Sequence, residues 1–307
     1  MPIVAANGVD LAYDEVGDQK APTILLIMGL GTQMIAWPEA FCQRLAQRGF
    51  RVVRFDNRDI GLSSKFESAA PVDVVAAFAR AAAGKPVGAP YTLNDLAADA
   101  VGLMDALTID RAHVVGASMG GMIAQVIAAR YPDRTRSLVS IMSSSGNPGL
   151  PQGRPEAIAA LLAPRPDAGD REGIIAHGMR VYRAIGSPGF PTPDATLRVK
   201  VEQAADRSYY PAGVGRQLLA VLASGSRIDL LKEIRAPSLI IHGADDPLVP
   251  VEAGIDTARY ISGAALRIIP GMGHDLAEGL IPILAEAIAD HCRAVDGRTE
   301  SAAPRSG

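Results

Sequence analysis

Three separated stretches of this chain hold side chains that together could attack a carbonyl carbon and move the proton that the attack releases. The first is Gly116-Ala117-Ser118-Met119-Gly120. A serine hydroxyl is a poor nucleophile at neutral pH, so Ser118 needs a base, and that base needs an acid to orient it. His274, in Gly271-Met272-Gly273-His274-Asp275, offers the imidazole. Ile241-His242-Gly243-Ala244-Asp245-Asp246-Pro247 offers two adjacent carboxylates. Successive side chains diverge, so only one of them can face the imidazole. Asp246, three residues beyond Gly243 and held by Pro247, is the expected acid, and Asp245 is the expected turn or loop-capping residue.

A glycine-flanked serine carries weight only in its setting. Here an apolar strand, His113 to Ala117, runs into it and an apolar-periodic helix, Met119 to Arg130, runs out of it. On such a sharp strand-to-helix turn the hydroxyl stands exposed at the helix N-terminus, and small residues at Gly116 and Gly120 let the chain double back. The plainer reading of Ser118 as a helix N-cap is weaker in that context. Charge on the attacked oxygen also needs donors, and backbone N–H groups serve without reorganising. Met119 supplies one. The second is expected from Met28-Gly29-Leu30-Gly31, most directly Leu30, with Gly31 next. Of the other histidines, His113 begins a strand, His242 ends one beside a better acid, His177 falls in a variable segment where it can touch substrate, and His291 lies near the chain's last helix.

The elements that must position these groups follow from apolar periodicity and from Gly and Pro punctuation. Residues 1–16 read as a hairpin around Asn7-Gly8. Buried strands are expected at Thr23 to Met28 and Arg51 to Phe55, with a helix from Pro38 to Arg48 between them. An Ala-rich segment, Val72 to Ala83, reads as a surface helix. The rhythm continues with helix Leu93 to Leu107, the strand and helix around Ser118, and strand Ser137 to Met142. It breaks between Ser143 and Arg227, where prolines and glycines are frequent and the helical segments look short. It resumes with strand Ser238 to His242, helix Glu252 to Ile261, strand Ala265 to Ile269 and helix Leu280 to Arg293. Strands separated by helices imply parallel pairing. The expected fold class is therefore α/β, a mostly parallel central sheet flanked by helices, with residues 1–142 and 228–294 forming the core, an inserted and mainly helical cap at 143–227, and a disordered tail at 295–307.

Composition narrows the partner. The chain has 307 residues, 48% of them hydrophobic, and a net charge of −3. That length suits one large core, and the charge gives no grip on nucleic acid or an anionic membrane. No apolar run approaches the roughly 18 residues needed to span a bilayer, so no stable membrane association is expected. The N-terminus lacks a basic, apolar leader, which points to the cytoplasm. Two distant cysteines, Cys42 and Cys292, argue against a disulfide framework, and no His/Cys/Asp/Glu spacing suggests a metal. Gly29-Leu30-Gly31 lacks the third glycine of a dinucleotide loop. No cofactor is expected, and the sequence leaves a homodimer open.

Together, the order of elements and the three motifs around Ser118, Asp246 and His274 resemble the α/β-hydrolase superfamily from Val9 to Arg293. Met28 before the loop glycine, and Asp59 within Asp56-Asn57-Arg58-Asp59-Ile60-Gly61-Leu62-Ser63, are similar to its aclacinomycin methylesterase-like branch. In the same branch Arg58 is expected to brace its loop rather than bind substrate. The chain order serine, aspartate, histidine is the one this scaffold uses. The resemblance implies a serine-dependent carboxylic ester hydrolase acting through an acyl-enzyme on a small to medium apolar ester, beneath a cap that holds Met179, Tyr182, Phe190, Tyr209, Tyr210 and Leu218. The same three groups also serve lactone, peracid, carbon–carbon bond and hydroxynitrile chemistry, and a non-catalytic ligand-binding protein is the bland alternative. Epoxide hydrolases and dehalogenases would need a carboxylate where Ser118 stands.

Overall fold

Alternate residues of a strand face opposite ways, and in this chain both faces are covered by helices. In β3 (Thr23–Ile27), Leu25 and Ile27 join one core cluster while Ile24 and Leu26 join another. The same division in β5 (Ala112–Ala117) sends Val114 to the first and Val115 and Ala117 to the second. The first cluster is closed by α3 (Leu93–Ala106) and α4 (Met119–Arg130), through Leu93, Leu96, Ile123 and Ile127. The second is closed by α1 (Glu39–Gln47) and α11 (Ile281–Ala302), through Phe41, Leu45, Leu284 and Ile288. Each large side chain removed from water in this way contributes about 1.5–3 kcal/mol, which is why these short apolar runs become interior strands.

The computed structural model describes residues 1–67 and 73–302, with 298–302 described by backbone alone. The sheet has eight strands, adding β1 (Ile3–Ala6), β2 (Val9–Val16), β4 (Arg51–Phe55), β6 (Thr135–Ile141), β7 (Ser238–Gly243) and β8 (Ala265–Ile269). Their order is β1-β2-β4-β3-β5-β6-β7-β8. Pairing is antiparallel between β1 and β2 and between β2 and β4, and parallel elsewhere. Asn7 and Gly8 take φ of 50° and 77°, the two-residue hairpin turn that pairs Ala6 with Val9. From β3 the chain steps outward to β4, whereas from β5 it steps the other way to β6. The loops leaving β3 and β5 therefore diverge, and a crevice opens at the carboxyl ends of these neighbours.

Between β6 and β7 lie α5 (Pro155–Leu162), α6 (Arg171–Ile185), α7 (Asp194–Arg207), α8 (Pro211–Ser224) and the short α9 (Ile228–Glu233). Helices α6 to α8 run 14 or 15 residues, longer than the proline frequency suggests. Pro155 and Pro211 stand in a first turn and Pro193 at an N-cap, where a missing N–H costs nothing. The Ala-rich segment is helical over α2 (Val74–Ala82), while Pro71 and Val72 lie outside the described residues. The last helix also departs from expectation: α11 continues past Arg293 to Ala302, where a disordered tail was expected from 295. Asp296 holds that extension, accepting hydrogen bonds from His113 and Arg136 at 3.2 and 3.0 Å. Residues 303–307 lie outside the described residues. Among the described residues, no helix is long and apolar enough to cross a membrane. Helix α10 (Val251–Tyr260) completes the set.

Candidate active site

Strand β5 ends at Ala117 and α4 begins at Met119, so Ser118 alone carries the change of direction. It does so at φ 56° and ψ −121°, a region that costs a side-chain-bearing residue about 1–3 kcal/mol. Hydrogen bonds offset that strain. The Ser118 N–H donates to Ile141 O at 2.9 Å, and its carbonyl accepts from Gly121 N at 2.9 Å and Ser143 Oγ at 2.8 Å. The two flanking glycines are steric requirements: a Cβ at Gly116 would sit 2.0 Å from Gly120 O, and one at Gly120 would sit 2.1 Å from Ile27 O.

The loops after β7 and β8 bring the other two stretches to the same edge. His274 Nε2 lies 2.9 Å from Ser118 Oγ, and His274 Nδ1 lies 2.7 Å from Asp246 Oδ2. Asp246 is itself fixed, its Oδ1 accepting from Leu248 N at 2.9 Å and Val249 N at 2.8 Å. A buried carboxylate is an acceptor only, so it holds the imidazole hydrogen on Nδ1 and leaves Nε2 to accept from the serine hydroxyl. Asp245 faces away and accepts from Gly271 N at 2.8 Å, tying the two loops together. The His274 loop is braced from the cap side as well, where His274 N donates to Ile185 O at 2.7 Å.

The loop after β3 passes so close to the elbow that a Cβ at Gly29 would lie 3.0 Å from Ser118 Cβ. Of the two donors expected there, the Gly31 N–H is engaged by Gln217 Oε1 at 2.9 Å. Leu30 N–H and Met119 N–H have no acceptor among the described residues, which leaves them free for a substrate oxygen. Asn57 Nδ2 steadies the loop by donating to Met28 O at 3.0 Å.

Three side chains that fasten cap to core, Arg216, Gln217 and Arg207, carry no local signal in the sequence. Arg216 on α8 forks onto Asp59, with Nε to Oδ2 at 2.8 Å and Nη2 to Oδ1 at 2.9 Å. Burial pushes the Asp59 carboxyl upward, but Arg216, Phe66 N–H and the Tyr91 hydroxyl together hold it below its usual range. Gln217, next along α8, also donates from Nε2 to Arg58 O at 2.9 Å. Arg207 at the end of α7 reaches the fully buried Asp56 at 2.7 Å and Gln33 Oε1 at 2.6 Å. Arg58 itself pairs with Asp99 through two contacts of 2.5 Å and lies against Phe66 and Tyr91, bracing the loop.

Over Ser118 these parts enclose a cavity of about 290 Å³. One face of α6 lines it, through Ile174, His177, Gly178, Val181, Tyr182 and Ile185, a helical stripe that is apolar apart from His177 and the tyrosine hydroxyl. Of the cap residues expected over the nucleophile, Tyr182 and Tyr209 line this cavity. Tyr210 and Leu218 line a neighbouring one, and Phe190 packs against the second core cluster. Met179 packs, with Tyr182, against a small cluster internal to the cap. The remaining histidines are elsewhere employed: His113 contacts Ser137 and Asp296, His242 contacts Val249 O, and His291 contacts Pro237 O. Among the described residues no group of three or more His, Cys, Asp or Glu is placed to hold a metal ion. Burial pushes both cysteine thiols up to about 12.

Known proteins resemble this chain in sequence and in fold. A family model described as the alpha/beta hydrolase fold matches residues 22–164. The chain is 27% identical over 310 residues to a rhodomycin D methylesterase of Streptomyces sp. (strain C5), covering 95% of this chain and 98% of that protein. It is 32% identical over 202 residues to a poly(3-hydroxyalkanoate) depolymerase of Ectopseudomonas oleovorans, covering 64% of this chain and 67% of that protein. The crystal structure of an enol-lactonase from Burkholderia xenovorans LB400 superposes with a TM-score of 0.72 at 24% identity, covering 95% of this chain and 100% of that one, a likeness of fold.

Proposed function

We propose that this chain, which belongs to the α/β-hydrolase superfamily, is a serine-dependent carboxylic ester hydrolase working through an acyl-enzyme. The observation that carries the reading is the unbroken line from Ser118 Oγ through His274 to Asp246, with contacts of 2.9 and 2.7 Å. As Oγ attacks the ester carbonyl, His274 Nε2 takes its proton and Asp246 stabilises the imidazolium that forms. The tetrahedral oxyanion is received by the N–H groups of Leu30 and Met119, backbone donors that serve without having to reorganise. His274 returns the proton to the departing alcohol. Water then enters and gives a proton to the same nitrogen as its oxygen bonds the acyl carbon; the bond to Oγ breaks, His274 returns the proton to Ser118, and the acid is released.

Similarity to a rhodomycin D methylesterase supports an ester as substrate and a methylesterase-like branch for this chain, in line with Met28 and Asp59. The largely apolar cavity of about 290 Å³ favours a small to medium ester. Replacing Ser118 by alanine is expected to lower turnover of a reactive aryl ester by about 10⁴-fold or more while the melting temperature stays within a few degrees. A fluorophosphonate probe should label the parent protein and not the variant. Full esterase activity in Ser118→Ala would end this reading.

A further inference from the structure

The cavity over Ser118 contains two nitrogen-bearing side chains that neither the fold nor the proposed chemistry employs. His177 is 4% exposed, stands in the middle of the otherwise apolar α6 stripe, and has no hydrogen-bond partner at Nδ1 or Nε2. A buried imidazole without partners opposes folding, since a Leu or Phe there would continue the stripe at no such cost. Arg165, from the segment between α5 and α6, lines the same wall and also the neighbouring cavity. It makes no ion pair among the described residues, whereas Arg58, Arg207 and Arg216 each meet a carboxylate. The one carboxylate on the cavity wall, among the described residues, is Asp275, and it is engaged by Ser187 Oγ at 2.5 Å and balanced by the charge of Lys200.

We propose that Arg165 and His177 form an anion subsite that selects esters carrying a second, unhydrolysed carboxylate. The inference rests on the ester-hydrolase reading of Ser118 and names its substrate class. A guanidinium offers a carboxylate two parallel N–H donors and stays charged, so beside a neutral substrate this half-buried Arg165 would have no anionic partner. Burial first, then the charges of Arg165 and Arg180, keep the His177 imidazole below its usual pKa. A neutral ring adds one N–H donor to the subsite beside the two that the guanidinium offers. The rest of the cavity, lined by Ile174, Val181 and Leu161, suits the chain that joins the two carbonyl groups.

The test pairs monomethyl with dimethyl esters of straight-chain dicarboxylic acids from four to eight carbons. For the best chain length, kcat/KM of the monoanionic ester should exceed that of the neutral diester by about 30-fold or more, the least expected for a buried charge-assisted contact. Arg165→Gln should abolish that preference by lowering only the monoester rate, with the diester rate within about threefold of the parent. His177→Phe should lower the monoester rate in the same selective way. Binding of the two best esters to Ser118→Ala, and to Ser118→Ala carrying Arg165→Gln, is measured by calorimetry to separate the subsite from the chemistry. Binding that favours the monoester and needs Arg165, without turnover in the parent, leaves the subsite standing and removes the hydrolase reading. Turnover without discrimination, a preference that survives Arg165→Gln, or no binding difference in the Ser118→Ala proteins overturns the anion subsite.

Discussion

Two imidazoles approach Asp246, and their surroundings give them opposite tasks. His274 Nδ1 is 2.7 Å from Oδ2, while His242 Nε2 is 3.6 Å away and donates instead to Val249 O at 2.8 Å. His242 is fully buried, and Gly254 packs so tightly that a Cβ there would lie 2.6 Å from its Nδ1. Burial keeps this ring neutral, its pKa pushed below the usual 6.5 against the pull of the Val249 contact and the Asp246 charge. His274 and Glu252 exert smaller effects of opposite sign. The consequence for stability has a definite sign. Above about pH 6.5 neither folded nor unfolded chain protonates this ring; as pH falls through 6.5 the unfolded chain takes up a proton that the folded one refuses, so stability declines until pH passes the folded value. His177, shifted the same way, adds to the slope. His242→Gln retains a side-chain N–H for Val249 O but cannot titrate. Denaturant melts should therefore give a shallower loss of stability between about pH 6.5 and 5 for His242→Gln than for the parent. Equal slopes would mean that the ring charges freely in the folded protein.

Helices α7 and α8 turn the cap from a cover into part of the site's scaffold. The Arg216–Asp59 fork and the two bonds of Gln217 hold α8 against both the loop bearing Leu30 and the loop after β4. Asp59 sits at φ 70°, a conformation that glycine adopts without strain, and Gly213 packs against it so closely that a Cβ would lie 2.1 Å from Asp59 O. Asp59 could be picked out in the sequence as part of a motif, but nothing there pointed to Arg216, 157 residues away. Periodicity reports which face of a helix is apolar; it carries no information on which buried cation meets which buried anion. Ser118, Asp246 and His274 were legible because each stands at a strand end within a local turn signature. Gln217, Arg216 and Arg207 stand inside helices, where polar residues ordinarily mark a solvated face. Removing one member of a buried pair leaves an unpaired charge, so Arg216→Met should cost about 3–5 kcal/mol. Adding Asp59→Gly removes that orphan charge and relieves the positive φ, so the double variant should be more stable than Arg216→Met alone. Thermal melts of the single and double variants decide the matter, and a double variant no more stable than Arg216→Met would show that the fork is not coupled.

Across the whole molecule, the candidate site and the anchorage of the last helix occupy opposite ends of one sheet. The loops carrying Leu30, Ser118, Asp246 and His274 all leave carboxyl ends of parallel strands, which is why alternating apolar runs and helices in the sequence sufficed to expect them at one edge. At the amino ends, β5 and β6 present His113 and Arg136 to Asp296 on the last helix. That anchorage was invisible in the sequence because the segment after Arg293 is polar, small and Gly-containing, and only its partner across 183 residues gives Asp296 a reason to be helical. His113 is fully buried, its Nδ1 held by Ser137 Oγ at 2.8 Å, so loss of Asp296 strands Nε2 rather than returning it to water. An unsatisfied buried group costs about 1–3 kcal/mol, and each kcal/mol lowers the melting temperature of a chain somewhat smaller than this one by about 2–4 °C. Both Asp296→Ala and truncation after Val295 should therefore melt several degrees below the parent, and by similar amounts if the contact rather than helix length is what matters. Because this anchor lies at the end of the sheet opposite Ser118, kcat/KM measured well below the melting temperature should change by less than about twofold, the mark of a site untouched. An activity loss at that temperature would show the two ends to be coupled, and unchanged melting in both proteins would show that the last helix ends, energetically, near Arg293.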